Sequence, residues 1–156
     1  PVMDASSILS LSKGMKLSDH VFLGVNRKGN PAILQTDSAA LPRGIYFLVL
    51  DEEILYVGIS TTEKQATKKG IKQRLKAHGQ KITGVFTDCV DTARFRAFRE
   101  ENLAQGKDLL DVMNRVEMRF IPMEYFEDKA ISDTETAIVR HLVTEGHCRL
   151  NGAKRG

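Results

Sequence analysis

Gly44-Ile45-Tyr46-Phe47-Leu48-Val49-Leu50-Asp51-Glu52-Glu53-Ile54-Leu55-Tyr56-Val57-Gly58 is two apolar runs parted by three acids. Aromatic and aliphatic residues on both sides of a charged break predict two β-strands, Gly44 to Leu50 and Ile54 to Ile59, joined as a hairpin. With Asp51-Glu52-Glu53 as the loop, Leu50 faces Ile54, Leu48 faces Tyr56 and Tyr46 faces Gly58. Tyr46 and Tyr56 then share one face as diagonal neighbours, their Cα atoms about 7–8 Å apart. A slip of one residue separates them. The opposite face carries Ile45, Phe47, Val49, Leu55, Val57 and Ile59, so the hairpin is expected to be covered on both sides and central to the fold. Gly58 opposite Tyr46 leaves space for a ring or a ligand close to the sheet. Two tyrosines so placed are either core residues with satisfied hydroxyls or one wall of a site, and the hairpin alone does not decide between them.

The rest of the chain narrows the classes. With 156 residues and 42% apolar content it has material for one domain with a proper core. No apolar run reaches the ~18 residues of a membrane span, and the N-terminus PVMDASSILSLSKGMK lacks the charged start and apolar stretch of a secretory signal. Cys89 and Cys148 have neither metal-clip spacing nor a disulfide framework, so a reducing, cytoplasmic setting is expected. The net charge of +3 is unevenly spread: Lys64, Lys68, Lys69, Lys72, Arg74, Lys76 and Lys81 fall in one stretch without acids, which leaves −4 for the remainder. Such a stretch is either a solvated helix face or a docking surface for a polyanion such as DNA or RNA. It lacks interleaved aromatics, which favours phosphate contacts over base stacking.

Within it, Ile71 to His78 reads as a helix stopped by Gly79, with Ile71 and Leu75 as the apolar stripe and Arg74 and His78 alongside. An arginine held at the rim of a sheet can grip a phosphate with its fork. Thr92 to Gln105 reads as a second helix, ended by Gly106, with Phe95, Phe98 and Asn102 inward. Its Arg94, Arg96 and Arg99 either meet a nucleic acid or decorate a solvated face. Val116 to Met123 is a third strand, with Pro122 at its end or an edge. Ser132-Asp133-Thr134-Glu135 has the pattern of a capping box and opens a last helix running to Gly146. Glu135 therefore has two readings, a cap or an inward carboxylate one turn before Ile138 and Leu142 that can hold a hard cation. Leu150-Asn151-Gly152 reads as a turn. The first 43 residues supply a short helix and a hairpin, Val21 to Val25 and Ala32 to Thr36, turning at Arg27-Lys28-Gly29-Asn30.

In this order the residues resemble the GIY-YIG nucleases: GIY, then YVG about ten residues on, a helix with R-x-x-x-H, a later helix with an inward Glu, and a final Asn. Tyr46, Tyr56, Arg74, His78, Glu135 and Asn151 match the family's motif positions, over a span from Gly44 to Asn151. The chain departs from the pattern in a long interval between Gly58 and Arg74, and in Ile59 where some members carry lysine, a role open to Lys64, Lys68 or Lys69.

The resemblance implies an α/β (α+β) fold with a small central three-stranded, mostly antiparallel sheet flanked by helices. Residues 1–43 would form an N-terminal extension packed on it, and 44–156 the nuclease domain with insertions near 61–70 and 81–115. It implies a divalent-metal-dependent endonuclease that hydrolyses DNA, duplex DNA by preference, with one Mg²⁺ or Mn²⁺ ion per site on Glu135. Arg74 would neutralise the scissile phosphate, Tyr46 would activate water once nearby positive charge lowered its pKa, Tyr56 and His78 would support the phosphate or relay a proton, and Asn151 would complete the catalytic set. Lys64, Lys68, Lys69, Lys72, Lys76, Arg96 and Arg99 are the expected nucleic-acid contacts. A compact restriction-type enzyme is the first expectation. A structure-specific or toxin-type nuclease and a non-catalytic binding module on the same fold are the alternatives. A homodimer would suit a palindromic site, although nothing in the sequence shows one.

Overall fold

A computed structural model describes residues 3–11, 14–36, 41–61 and 68–152, the side chains at 68–70 and 72 aside. Lys64 and the side chains of Lys68, Lys69 and Lys72 thus lie outside the described residues. The protein is α+β. In chain order it runs α1 (Ala5–Leu9), β1 (Met15–Lys16), a 3-10 turn (Leu17–Asp19), β2 (Val21–Val25), β3 (Pro31–Gln35), β4 (Gly44–Leu50), β5 (Glu53–Ser60), α2 (Lys68–Thr83), α3 (Ala93–Ala104), α4 (Leu109–Arg115), β6 (Glu117–Pro122) and α5 (Asp128–Thr144). Among the described residues no helix is long and apolar enough to cross a membrane.

The expected three strands form the body of the main sheet, and a fourth enlarges it. The order is β1-β6-β4-β5, antiparallel throughout, while β2 and β3 pair separately. Every residue of β4 is buried, as its unbroken apolar run requires of the central strand. One side holds Tyr46, Leu48 and Leu50 in a core cluster with Leu75 and Ile82 of α2 and Phe95 and Phe98 of α3. The other holds Ile45, Phe47 and Val49 with Ile131, Ile138 and Leu142 of α5. Residues before β4 enter both clusters, Leu17, Val21 and Ile33 the first and Ala5 and Ile8 the second.

The turn between β4 and β5 is tighter than expected. Asp51 and Glu52 alone form it, both at positive φ (49° and 66°), so Leu50 faces Glu53 rather than Ile54. A bulge then absorbs the difference, since Val49 pairs with Ile54 and Leu48 with Tyr56, leaving Leu55 as the extra residue. Tyr46 faces Gly58 as expected, but Leu55 moves to the tyrosine side of the sheet and Ile54 to the other.

Two helix boundaries also differ. Gly79 lies inside α2, where a Cβ would approach Ile33 and Val21 at 3.0 and 3.2 Å, so it lets the β2–β3 hairpin pack closely; Gly84, at φ +80°, follows the helix end. The helix of Glu135 begins at Asp128, which puts Ser132 in its interior and removes the capping-box reading. Thr134 and Thr136 bond back to the carbonyls of Ala130 and Ser132, as hydroxyls within a helix do.

Candidate active site

The hairpin register sets the two tyrosines. Their rings stand on one face with centroids 6.2 Å apart, tilted by 33°. Gly58 is what gives the Tyr46 ring its place: a Cβ there would sit 2.2 Å from Cζ and 2.3 Å from the hydroxyl oxygen. Gly58 thus marks the point where the sheet is thin enough to hold a phenol flat against it.

Helix α2 crosses the same face, its roll fixed by Ile71 and Leu75 turning into the core. One turn after Arg74, His78 is 4% exposed and its Nε2 lies 3.1 Å from the Tyr46 hydroxyl. The Tyr56 ring is 4.5 Å from the imidazole, and Phe95 of α3 lies nearly parallel to it at 6.3 Å. These aromatic neighbours hold the imidazole in register with the phenol. Arg74 itself is exposed, and its charge reaches both tyrosine hydroxyls.

The electrostatics differ from expectation at Tyr46. Burial pushes its hydroxyl well above the usual tyrosine range, Tyr56 and Glu135 push the same way, and the Arg74 guanidinium only partly opposes them. Tyr56 is also raised, again by burial first, against Arg74. Desolvation of a phenolate outweighs one exposed guanidinium. The resting Tyr46 is therefore a neutral phenol, and its hydrogen bond to His78 can run either way; with His78 as acceptor, Nε2 is placed to receive the phenolic proton.

Glu135 arrives from the other layer, on the α5 stripe with Ile131, Ile138 and Leu142, and is 4% exposed. Among the described residues no three His, Cys, Asp or Glu side chains group closely enough to cage a metal. A buried carboxylate whose charge is felt by the Tyr46 and Tyr56 hydroxyls is a hard oxygen donor. That suits a hard divalent cation completed by waters and substrate phosphate oxygens, so the residues present fit Mg²⁺ or Mn²⁺.

Asn151 has a different task from its neighbours in the motif. Its Oδ1 accepts from the Val57 N–H and its Nδ2 donates to the Val57 carbonyl, both at 2.9 Å. The backbone of Cys148 and Leu150 donates to the Ile54 and Leu55 carbonyls, so residues 148–151 cover the outer edge of β5. Asn151 acts as a strand surrogate that pins Val57 between Tyr56 and Gly58.

Outside this cluster opens a cleft of about 1040 Å³. Tyr56, Arg74 and His78 line it, whereas Tyr46 and Glu135 lie behind its wall, at 1% and 4% exposure. Lys81 of the basic stretch, Arg94, for which the sequence leaves a nucleic-acid contact or a solvated face open, and Phe95, expected inward, line the same cleft, although none is among the expected site residues. Lys81 stands two helical turns after Arg74, a spacing that would have put it on the same face. Other expected cations have intramolecular partners: Lys76 pairs with Asp88 at 2.9 Å, and Arg96 and Arg99 with Asp91 at 3.3 and 2.7 Å. The Arg99 hydrogen bond is the chief cause that holds the Asp91 carboxyl down at about 2.

Comparison with protein-family models, with curated proteins and with solved structures gives no match, so the geometry of the site itself bears the functional reading.

Proposed function

We propose that this chain is a divalent-metal-dependent endonuclease that hydrolyses phosphodiester bonds of DNA, with duplex DNA as its substrate. The observation that carries the reading is the Tyr46 hydroxyl 3.1 Å from His78 Nε2, behind a cleft that presents Arg74. A tyrosine is a poor base, and a buried one poorer still, unless its proton has an acceptor. His78 is that acceptor in this reading. As a water oxygen bonds to phosphorus, the water proton passes to Tyr46 and the phenolic proton to Nε2, while the bond from phosphorus to the leaving oxygen breaks and that oxygen takes a proton from solvent. Arg74 neutralises charge on the phosphoryl oxygens. Glu135 would hold Mg²⁺ or Mn²⁺, which when bound would neutralise charge on a phosphate oxygen.

One observation favours a second reading, a nucleic-acid-binding module without catalysis: Tyr46 and Glu135 do not line the cleft. Incubation with supercoiled plasmid in Mg²⁺ or in EDTA separates the two. The nuclease reading predicts nicked or linear products in Mg²⁺ alone, lost in Glu135→Ala and Arg74→Ala variants that keep their circular dichroism. A retarded but uncut band supports the module, and full activity in both variants overturns the proposed chemistry.

A further inference from the structure

Many of the described cations are neutralised by neighbours. Arg43, Lys76, Arg96, Arg99, Arg115, Arg119, Lys129 and Arg149 each pair with a carboxylate. Arg74, Lys81 and Arg94 have no carboxylate partner among the described residues; the same holds for Lys16, Arg27, Lys28, Lys107 and Arg140 elsewhere, but these three gather in the cleft, whose wall includes no acid among the described residues. Three cations gathered without counter-charge repel one another, and a protein with acids to spare elsewhere has left them so.

Their placement is also specific. Arg74 and Lys81 are seven residues apart on α2, hence on one face and about 10 Å apart along the axis at 1.5 Å per residue. That exceeds the reach of a single phosphate. The Lys81 ammonium is steadied over the Phe95 ring, 5.4 Å from its centroid. Arg94 faces it from the first turn of α3, where a cation opposes the helix dipole at a cost of about 0.3–1 kcal/mol. Among the described residues its polar contact is a 3.3 Å bond to the Arg149 carbonyl. A residue kept where it harms its own helix points to a ligand.

We infer that Lys81 and Arg94 together form a second phosphate subsite, which holds a phosphate neighbouring the one gripped by Arg74 on the same nucleic-acid strand. The inference rests on the nucleic-acid reading of the cleft but not on catalysis. The subsite contacts phosphate oxygens only, so it sets the position of the strand and not its sequence.

The test is fluorescence anisotropy of a labelled 16-base-pair DNA duplex in EDTA, titrated at several KCl concentrations. Wild type is expected to bind with a negative slope of log K against log [KCl]. The Lys81→Ala/Arg94→Ala double variant should lose about 0.9 from that slope, one phosphate contact, while Arg140→Ala, an exposed cation of α5 outside the cleft, leaves it unchanged. An unchanged slope in the double variant, or an equal loss in Arg140→Ala, overturns the subsite. Slope loss without plasmid cleavage in Mg²⁺ supports the subsite and removes the nuclease reading. Cleavage with an unchanged slope does the reverse, and no binding by wild type overturns both.

Discussion

Gly58→Ala is the substitution that most sharply probes how the hairpin builds the site. The added methyl would lie 2.2 Å from Tyr46 Cζ, 2.3 Å from its hydroxyl and 2.6 Å from Cε1, all well inside van der Waals contact. The ring is at the end of a side chain, but with 1% exposure and a bond to His78 it has no vacant place to swing into. Overpacking of a well-filled core costs about 1–3 kcal/mol, and loss of the Tyr46–His78 bond adds about 1 kcal/mol. The expected destabilisation is therefore about 2–4 kcal/mol. Because alanine suits a strand better than glycine by about 0.5–1 kcal/mol, the same change should be neutral or mildly stabilising once the ring is gone. Urea denaturation of wild type, Gly58→Ala, Tyr46→Leu and the double variant gives the coupling, expected at about 2–5 kcal/mol. An equal cost of Gly58→Ala in both backgrounds would refute the idea that Gly58 exists to seat Tyr46.

Other outcomes follow from the same geometry. Asn151→Ala strips the Val57 N–H and carbonyl of their partners and should cost about 2–4 kcal/mol, with the Val57 amide exchanging faster in hydrogen-exchange measurements. Burial holds the His20 imidazole below its usual pKa, only partly opposed by Asp19, and neither ring nitrogen has a hydrogen-bond partner among the described residues. The unfolded chain then binds more protons below about pH 6.5, so wild-type stability should fall as pH drops from there through the folded-state pKa, and His20→Leu should flatten that fall in urea titrations. Glu52→Gly relieves a non-glycine residue at φ 66° and should stabilise by about 0.5–1 kcal/mol, seen as a Tm about 1–4 °C higher.

What the sequence disclosed followed from where local pattern and tertiary packing agree. The pairing of Tyr46 with Gly58 was legible because unbroken apolar runs on both sides of three acids leave few registers. It holds although the turn is one residue shorter than the sequence suggests, because the bulge at Leu55 restores what the shorter loop shifts. Helix ends were less legible. Ser132 and Glu135 carry the spacing of a cap, but the chain turns at residues 123–126 and starts α5 a full turn earlier, so Glu135 lies on an inward stripe. Gly79 has the look of a stop, yet the close approach of Val21 and Ile33 makes glycine useful within α2. The sites of Lys81 and Arg94 could not be read from charge alone, since Lys76, Arg96 and Arg99 look the same in sequence. Only the fold shows which cations have carboxylates beside them. The raised pKa of Tyr46 was hidden for a related reason, because burial at the back of the cleft depends on α3 and α5 closing over both faces of the sheet.

The central claim is that the Tyr46 hydroxyl takes part in phosphodiester hydrolysis by passing its proton to His78. Tyr46→Phe removes that hydroxyl alone and keeps the ring that fills the core. The rate of Mg²⁺-dependent nicking of supercoiled plasmid by wild type and by Tyr46→Phe, each checked for unchanged circular dichroism, measures its contribution. The account predicts a loss of about 10²–10⁴-fold, the size of a general-base contribution; nicking by Tyr46→Phe at the wild-type rate would contradict it.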